Sequence, residues 1–145
     1  MQCVILGKAD YRTRVYGLPV VVETRRGRVR RGKEPDGTPW ATTMEVPYGY
    51  FQGVQGLDGE GLDVFVGDCK DAHDVYLVTT MKYPDYTRPD ELKVFVQFSS
   101  ESAVRACFNR HYDNPRALGY VRHLSVEQFQ CIMQECREEG TTLAP

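Results

Sequence analysis

Nothing in this sequence approaches the roughly 20 consecutive apolar residues that cross a bilayer, so no membrane-spanning helix is expected. The first ten residues, MQCVILGKAD, lack the charged start, long apolar middle and small-residue cleavage site of a secretory leader. Together these absences point to the cytoplasm. The five cysteines (Cys3, Cys69, Cys107, Cys131, Cys136) are odd in number and contain no Cys-x-x-Cys pair. That argues against a zinc site or disulfide framework and for reduced thiols. Cys107 and Cys131 fall on apolar helix faces, where packing is the expected role. Charge of one sign is also missing. The 145 residues carry a net charge of −2, which gives no overall pull toward nucleic acid or anionic membrane. Repeats, low-complexity tracts and interdomain linkers are absent, so one domain over residues 1–145 is expected.

Charge is instead segregated. Arg25, Arg26, Arg28, Arg30, Arg31 and Lys33 form a basic block, and an acidic one runs from Asp58 to Asp74. The β-branched run Leu18–Thr24 predicts a strand, and the basic block with Gly27 and Gly32 predicts a turn and return strand. Trp40–Val46, Leu62–Val66, Asp74–Thr80 and Leu92–Phe98 also read as strands, with PYGYFQGVQG as a glycine-rich connection. The period then changes. Val104, Cys107 and Phe108 form one helical stripe after capping serines. In SVEQFQCIMQECREEG, Ser125 and Gln128 make a capping box, Val126, Phe129, Ile132, Met133 and Cys136 form the stripe, and Gly140 ends the helix. The expected class is α+β: a small OB-like β-barrel of about five to seven strands with two C-terminal helices packed outside.

The acidic stretch LDGEGLDVFVGD carries the chemistry. Asp58-Gly59 and Glu60-Gly61 are turn dipeptides, but from Leu62 onward the side chains alternate. Leu62, Val64 and Val66 share one face and Asp63 shares the other with Phe65. An aspartate in such a strand is costly unless paired, hydrated or bound to a cation. With Asp58 and Glu60 upstream, a hard divalent ion such as Mg2+ is the economical partner. An EF-hand is excluded, because glycine is required where Asp63 stands. In RPDELKVFVQF, Glu91 and Lys93 are two apart and share a face; alone they would be an exposed ion pair worth under about 1 kcal/mol. Arginines of the basic block can grip phosphate bidentately, although only one or two could reach a single pocket. Tyr48 and Tyr50 offer either hydroxyl donors or a packed aromatic pair.

The stretch YGYFQGVQGLDGEGLDVFV resembles the signature of the soluble, Mg2+-dependent inorganic pyrophosphatases: Tyr-Gly-Tyr, a spacer, then Asp-x-Asp-Pro-x-Asp. The arrangement over residues 16–135 is similar to the pyrophosphatase-like domains of phages and prophages. The resemblance implies that Asp58, Asp63 and Glu91 bind Mg2+, for which Mn2+ could substitute. It implies that Glu60 orients or deprotonates the attacking water, that Lys93 and an arginine (Arg28, Arg30 or Arg31) bind phosphate, and that Tyr48 binds phosphate or packs at the site. Glu23 is a further candidate. The implied substrate is pyrophosphate or another phosphoanhydride. Glu60 and Glu91 stand where the family has aspartate, Gly61 where it has proline, and Val21 where it has an upstream lysine. These departures support an alternative, a binding module that holds a nucleotide or a host protein without hydrolysis. A homo-oligomer is left open. A third reading, single-stranded nucleic acid on the basic block and tyrosines, is disfavoured by the acidic balance.

Overall fold

The computed structural model describes residues 9–56 and 59–145. In chain order the strands are β1 (Tyr11–Val15), β2 (Leu18–Thr24), β3 (Val29–Lys33), β4 (Pro39–Thr43), β5 (Tyr48–Gln55), β6 (Gly61–Val66), β7 (Asp74–Met81), β8 (Pro89–Val96) and β9 (Leu118–Ser125). Helix α1 (Glu101–His111) precedes β9 and α2 (Val126–Glu139) follows it. Seven strands form one sheet in the order β1-β2-β5-β6-β8-β7-β9, while β3 and β4 form a separate hairpin. The β6–β8 pair is parallel and its neighbours are antiparallel.

The barrel expectation is corrected. Among the described residues the sheet is open, with β1 and β9 as its edges. The physical reason lies in its two apolar faces. One carries Val20, Val22, Phe51, Leu62, Val64, Leu77 and Val94 and is covered by Phe129, Met133 and Cys136 of α2. The other carries Tyr48, Phe65, Tyr76, Val78 and Phe95 and is covered by Val104, Cys107 and Phe108 of α1. With a helix on each face, the sheet buries both without closing on itself.

Three further expectations change. The basic block does return as a strand, but β3 pairs with β4 and not with β2, whose neighbours are β1 and β5. The supposed connection at Tyr48–Gln55 is a central strand. Gly49 is there because β2 passes so close that a Cβ would run into the Val21 carbonyl. Cys131 is exposed, while Cys107 and Cys136 are buried. Both helix termini match the capping chemistry. Ser100 Oγ accepts from Ala103 N–H, the Ser125–Gln128 box is complete, and Gly140 adopts the left-handed cap with φ 68°. No helix among the described residues is long and apolar enough to cross a membrane.

The alternation expected in β6 holds and positions the site. Leu62 and Val64 lie in the α2-side core, with Val66 packed against it, and Phe65 lies in the α1-side core. Asp63 therefore projects on the α1 side, on the same face as Tyr48 of β5 and Lys93 of β8.

Candidate active site

Lys93 is the centre of the site. It is 4% exposed, in strand β8. Its Nζ lies 2.6 Å from Asp63 Oδ2 and 2.6 Å from Glu91 Oε1, and donates to Tyr48 Oη at 2.9 Å. Burial works against its charge, but the surrounding hydroxyls and carboxylates of Tyr48, Tyr112, Asp63 and Glu91 outweigh it and hold the pKa well above the ordinary lysine value. The Glu91–Lys93 pair is not the weak exposed contact that its sequence alone would suggest, since its cation is enclosed.

Arg30 is the second cation. The alternation of β3 turns it inward, and its guanidinium stacks between the rings of Tyr48, 4.1 Å from the centroid, and Trp40, 4.9 Å away. Its Nη2 donates to Tyr48 Oη at 3.2 Å. Tyr48 is 1% exposed and lies beneath both cations, accepting from each. Burial drives its pKa far up despite Lys93 and Arg30, so it stays a neutral phenol. Its hydroxyl thus joins the two cations, and it does not line the adjoining cleft.

The carboxylates sit around this pair. Glu23, on β2, is exposed by area. Desolvation by the surrounding protein and repulsion from Asp63 and Glu60 nevertheless raise its pKa against the pull of Arg30 and Lys93. Glu23, Glu60 and Asp63 are thus electrostatic neighbours. Glu60 occupies a tight turn in which Gly56 N–H bonds to the Glu60 carbonyl and Gly59 has φ 83°. Gly61 packs under the Tyr50 ring, where a Cβ would not fit. Arg28 is brought elsewhere. It is exposed ahead of β3 and its charge acts on Asp10. Asp58 lies outside the described residues.

On the other side of the cations is a cleft of about 240 Å3, to which Arg30, Trp40, Glu91, Lys93 and Tyr112 contribute. The β3–β4 hairpin roofs it. Thr42 Oγ1 donates to the His111 carbonyl, Glu45 N–H donates to His111 Nε2 at 2.9 Å, and Tyr83 Oη donates to Asp36 at 3.1 Å. Tyr112 was not among the sequence candidates. It lines the cleft with Arg30 and Lys93, and burial raises its pKa against the pull of those two cations. The sequence signal for it was the pair His111-Tyr112, near the place where the pyrophosphatases that the sequence resembles carry a late Tyr-Lys pair, without a clear match to it.

No three His, Cys, Asp or Glu side chains among the described residues are close enough to hold a metal ion. The donors that do converge are hard carboxylate oxygens of Asp63 and Glu91, already sharing one cation, and such donors fit Mg2+. Lys93 occupies the place between them.

The fold and site define an α+β protein with a carboxylate, lysine and arginine cluster suited to a phosphate anion and a hard cation. The inorganic pyrophosphatase family model matches residues 8–134, and the chain belongs to that family. No curated protein matches the chain closely enough to count as a relative.

Proposed function

We propose that the chain hydrolyses a phosphoanhydride, with pyrophosphate and water giving two phosphates, in a Mg2+-dependent reaction. The sheet and both helices would serve it as one domain. The observation that carries the reading is the enclosed Lys93 ammonium shared by Asp63, Glu91 and Tyr48 with Arg30 beside it. Pyrophosphate needs fixed positive charge, and these two cations are held in place without substrate, so little reorganisation is left for the reaction. Asp63 and Glu91, with Asp58, would hold Mg2+. When bound, Mg2+ supplies charge neutralisation and a more acidic bound water. Glu60 would orient or deprotonate the nucleophile, and Glu23 borders the same space. Lys93 and Arg30 would grip the phosphates, Tyr48 would fix both cations from below, and Arg28 would stay outside.

Phosphate release from pyrophosphate tests this. The wild-type chain should release phosphate with Mg2+ and stop when the metal is chelated. Asp63→Asn should fold and release none, because Lys93 keeps Glu91 as a partner while a metal ligand is lost. Release that ignores chelation, or is unchanged in Asp63→Asn, removes the proposal. One observation favours the rival of a non-hydrolytic binding module, namely that Lys93 fills the position between Asp63 and Glu91. That module would bind a pyrophosphate analogue and release nothing.

A further inference from the structure

The cleft is electrostatically two-sided. Near Lys93 and Arg30 it is cationic. Further along it is lined by Tyr83, Tyr86, Glu34, Asp90 and Asp113. The two halves have separate electrostatic neighbours. Tyr112 responds to Lys93, Arg30, Glu91 and Asp63, whereas Tyr86 responds to Glu34, Tyr83, Asp113 and Arg116. In the second half a bare pyrophosphate would meet three carboxylates, offset only in part by Arg116, whose guanidinium lies 5.9 Å from the Tyr86 ring centroid.

That half has the properties of a site for a flat, neutral, donor-bearing ring. Tyr83 and Tyr86 stand edge to face, with centroids 6.2 Å apart, and are half-buried. Their loop is braced. Lys82 N–H bonds to the Arg88 carbonyl, Tyr86 N–H to the Lys82 carbonyl, and Arg116 Nη2 to the Asp85 carbonyl at 2.7 Å. Tyr86 itself holds a left-handed backbone with φ 56°, uncommon for a bulky side chain. Carboxylates only accept hydrogen bonds, so their natural ligands are exocyclic amines and ring N–H groups. Burial and the neighbouring Asp36, Asp113 and Asp90 raise the Glu34 pKa, in keeping with a crowded acceptor wall.

We propose that the cleft takes a nucleoside 5′-diphosphate, its two phosphates on Lys93 and Arg30 and its base against the Tyr83–Tyr86 pair with its N–H donors on Glu34, Asp90 and Asp113. This deepens the proposed function, because it rests on the same phosphate site and names the rest of the ligand. Bases that present an amine, guanine, adenine and cytosine, fit the wall. Uracil, with two carbonyls flanking one N–H, fits it least.

Calorimetric titration with non-hydrolysable probes tests it: methylenediphosphonate, and the α,β-methylene diphosphates of guanosine, adenosine and uridine, all with Mg2+. The guanosine or adenosine compound should bind at least tenfold more tightly than methylenediphosphonate, with the uridine compound weakest. Tyr86→Ala and Glu34→Gln should erase that preference while leaving methylenediphosphonate affinity unchanged, which also shows that the variants fold. Equal affinity for all probes overturns the inference and leaves the hydrolase reading standing. So does a loss of methylenediphosphonate binding in folded Glu34→Gln, which would mean that the acidic wall serves cations on the phosphates. If no probe binds the wild type, the phosphate site falls and the base site with it.

Discussion

Replacing Lys93 by methionine removes a charge while keeping most of the side-chain volume, so the result reports on the ion cluster more than on packing. In the wild type one ammonium lies 2.6 Å from each of two carboxylates. At an effective dielectric of about 20, each contact is worth about 6 kcal/mol of raw attraction. Most of this is offset by desolvation of Lys93, whose side chain is 5% exposed, while the partners at 23% and 30% retain some water. Breaking a buried pair typically costs about 3–5 kcal/mol, and the partial hydration of Asp63 and Glu91 puts this site near about 3. For a chain of this length that lowers Tm by about 10 °C. The variant also leaves two carboxylates without a shared cation. Mg2+ should then recover stability, by about 2.7 kcal/mol at a hundredfold excess over Kd. Thermal unfolding of both proteins in chelator and in Mg2+ is the assay. The variant should melt lower in chelator and gain more from Mg2+ than the wild type does. A variant as stable as the wild type in chelator, or equal Mg2+ gains in both, would refute the idea that Lys93 and the metal compete for one place.

Gly49→Ala should cost about 1–3 kcal/mol or more in chemical denaturation, because the new Cβ meets the Val21 carbonyl and must push β5 from β2; a neutral result would mean that the strands part without penalty. Burial pushes the Cys107 thiol up to about 11, while Cys131 is exposed. Iodoacetamide at pH 8 followed by peptide mass mapping should therefore label Cys131 and spare Cys107. Hydrogen bonds from Thr38 N–H and from Tyr83 lower the Asp36 pKa below its usual 3.8. The stabilisation is present above that value and lost as pH falls through the lowered one, so the stability gap between wild type and Asp36→Asn should close below about pH 3.8. A gap that is constant with pH would detach Tyr83 and the hairpin tip from that carboxylate.

How much of this could be read in the sequence depended on whether the cause was local. The Ser125–Gln128 box, the two faces of Leu62–Val66 and the shared face of Glu91 and Lys93 follow from backbone geometry over a few residues, and each is found. Strands β1 and β9 were missed because YRTRV and LGYVRHLS lie at sheet edges, half in water, and have no clean apolar alternation. Gly49 read as loop punctuation, yet the glycine answers to a strand 28 residues earlier, at Val21. Only the curl of the β3–β4 hairpin selects Arg30 over Arg28, and nothing within the basic block distinguishes them. Whether the sheet closes is the least local property of all, decided by two helices that cover opposite faces.

The most direct measurement is Mn2+ binding followed by electron paramagnetic resonance, in the wild type, Asp63→Asn and Glu91→Gln. If Asp63 and Glu91 converge on one divalent cation, the wild type removes Mn2+ from the free-ion signal, each single variant weakens that uptake at least tenfold, and added Mg2+ reverses it. Uptake that is absent in the wild type, or unchanged by either substitution, would contradict the account.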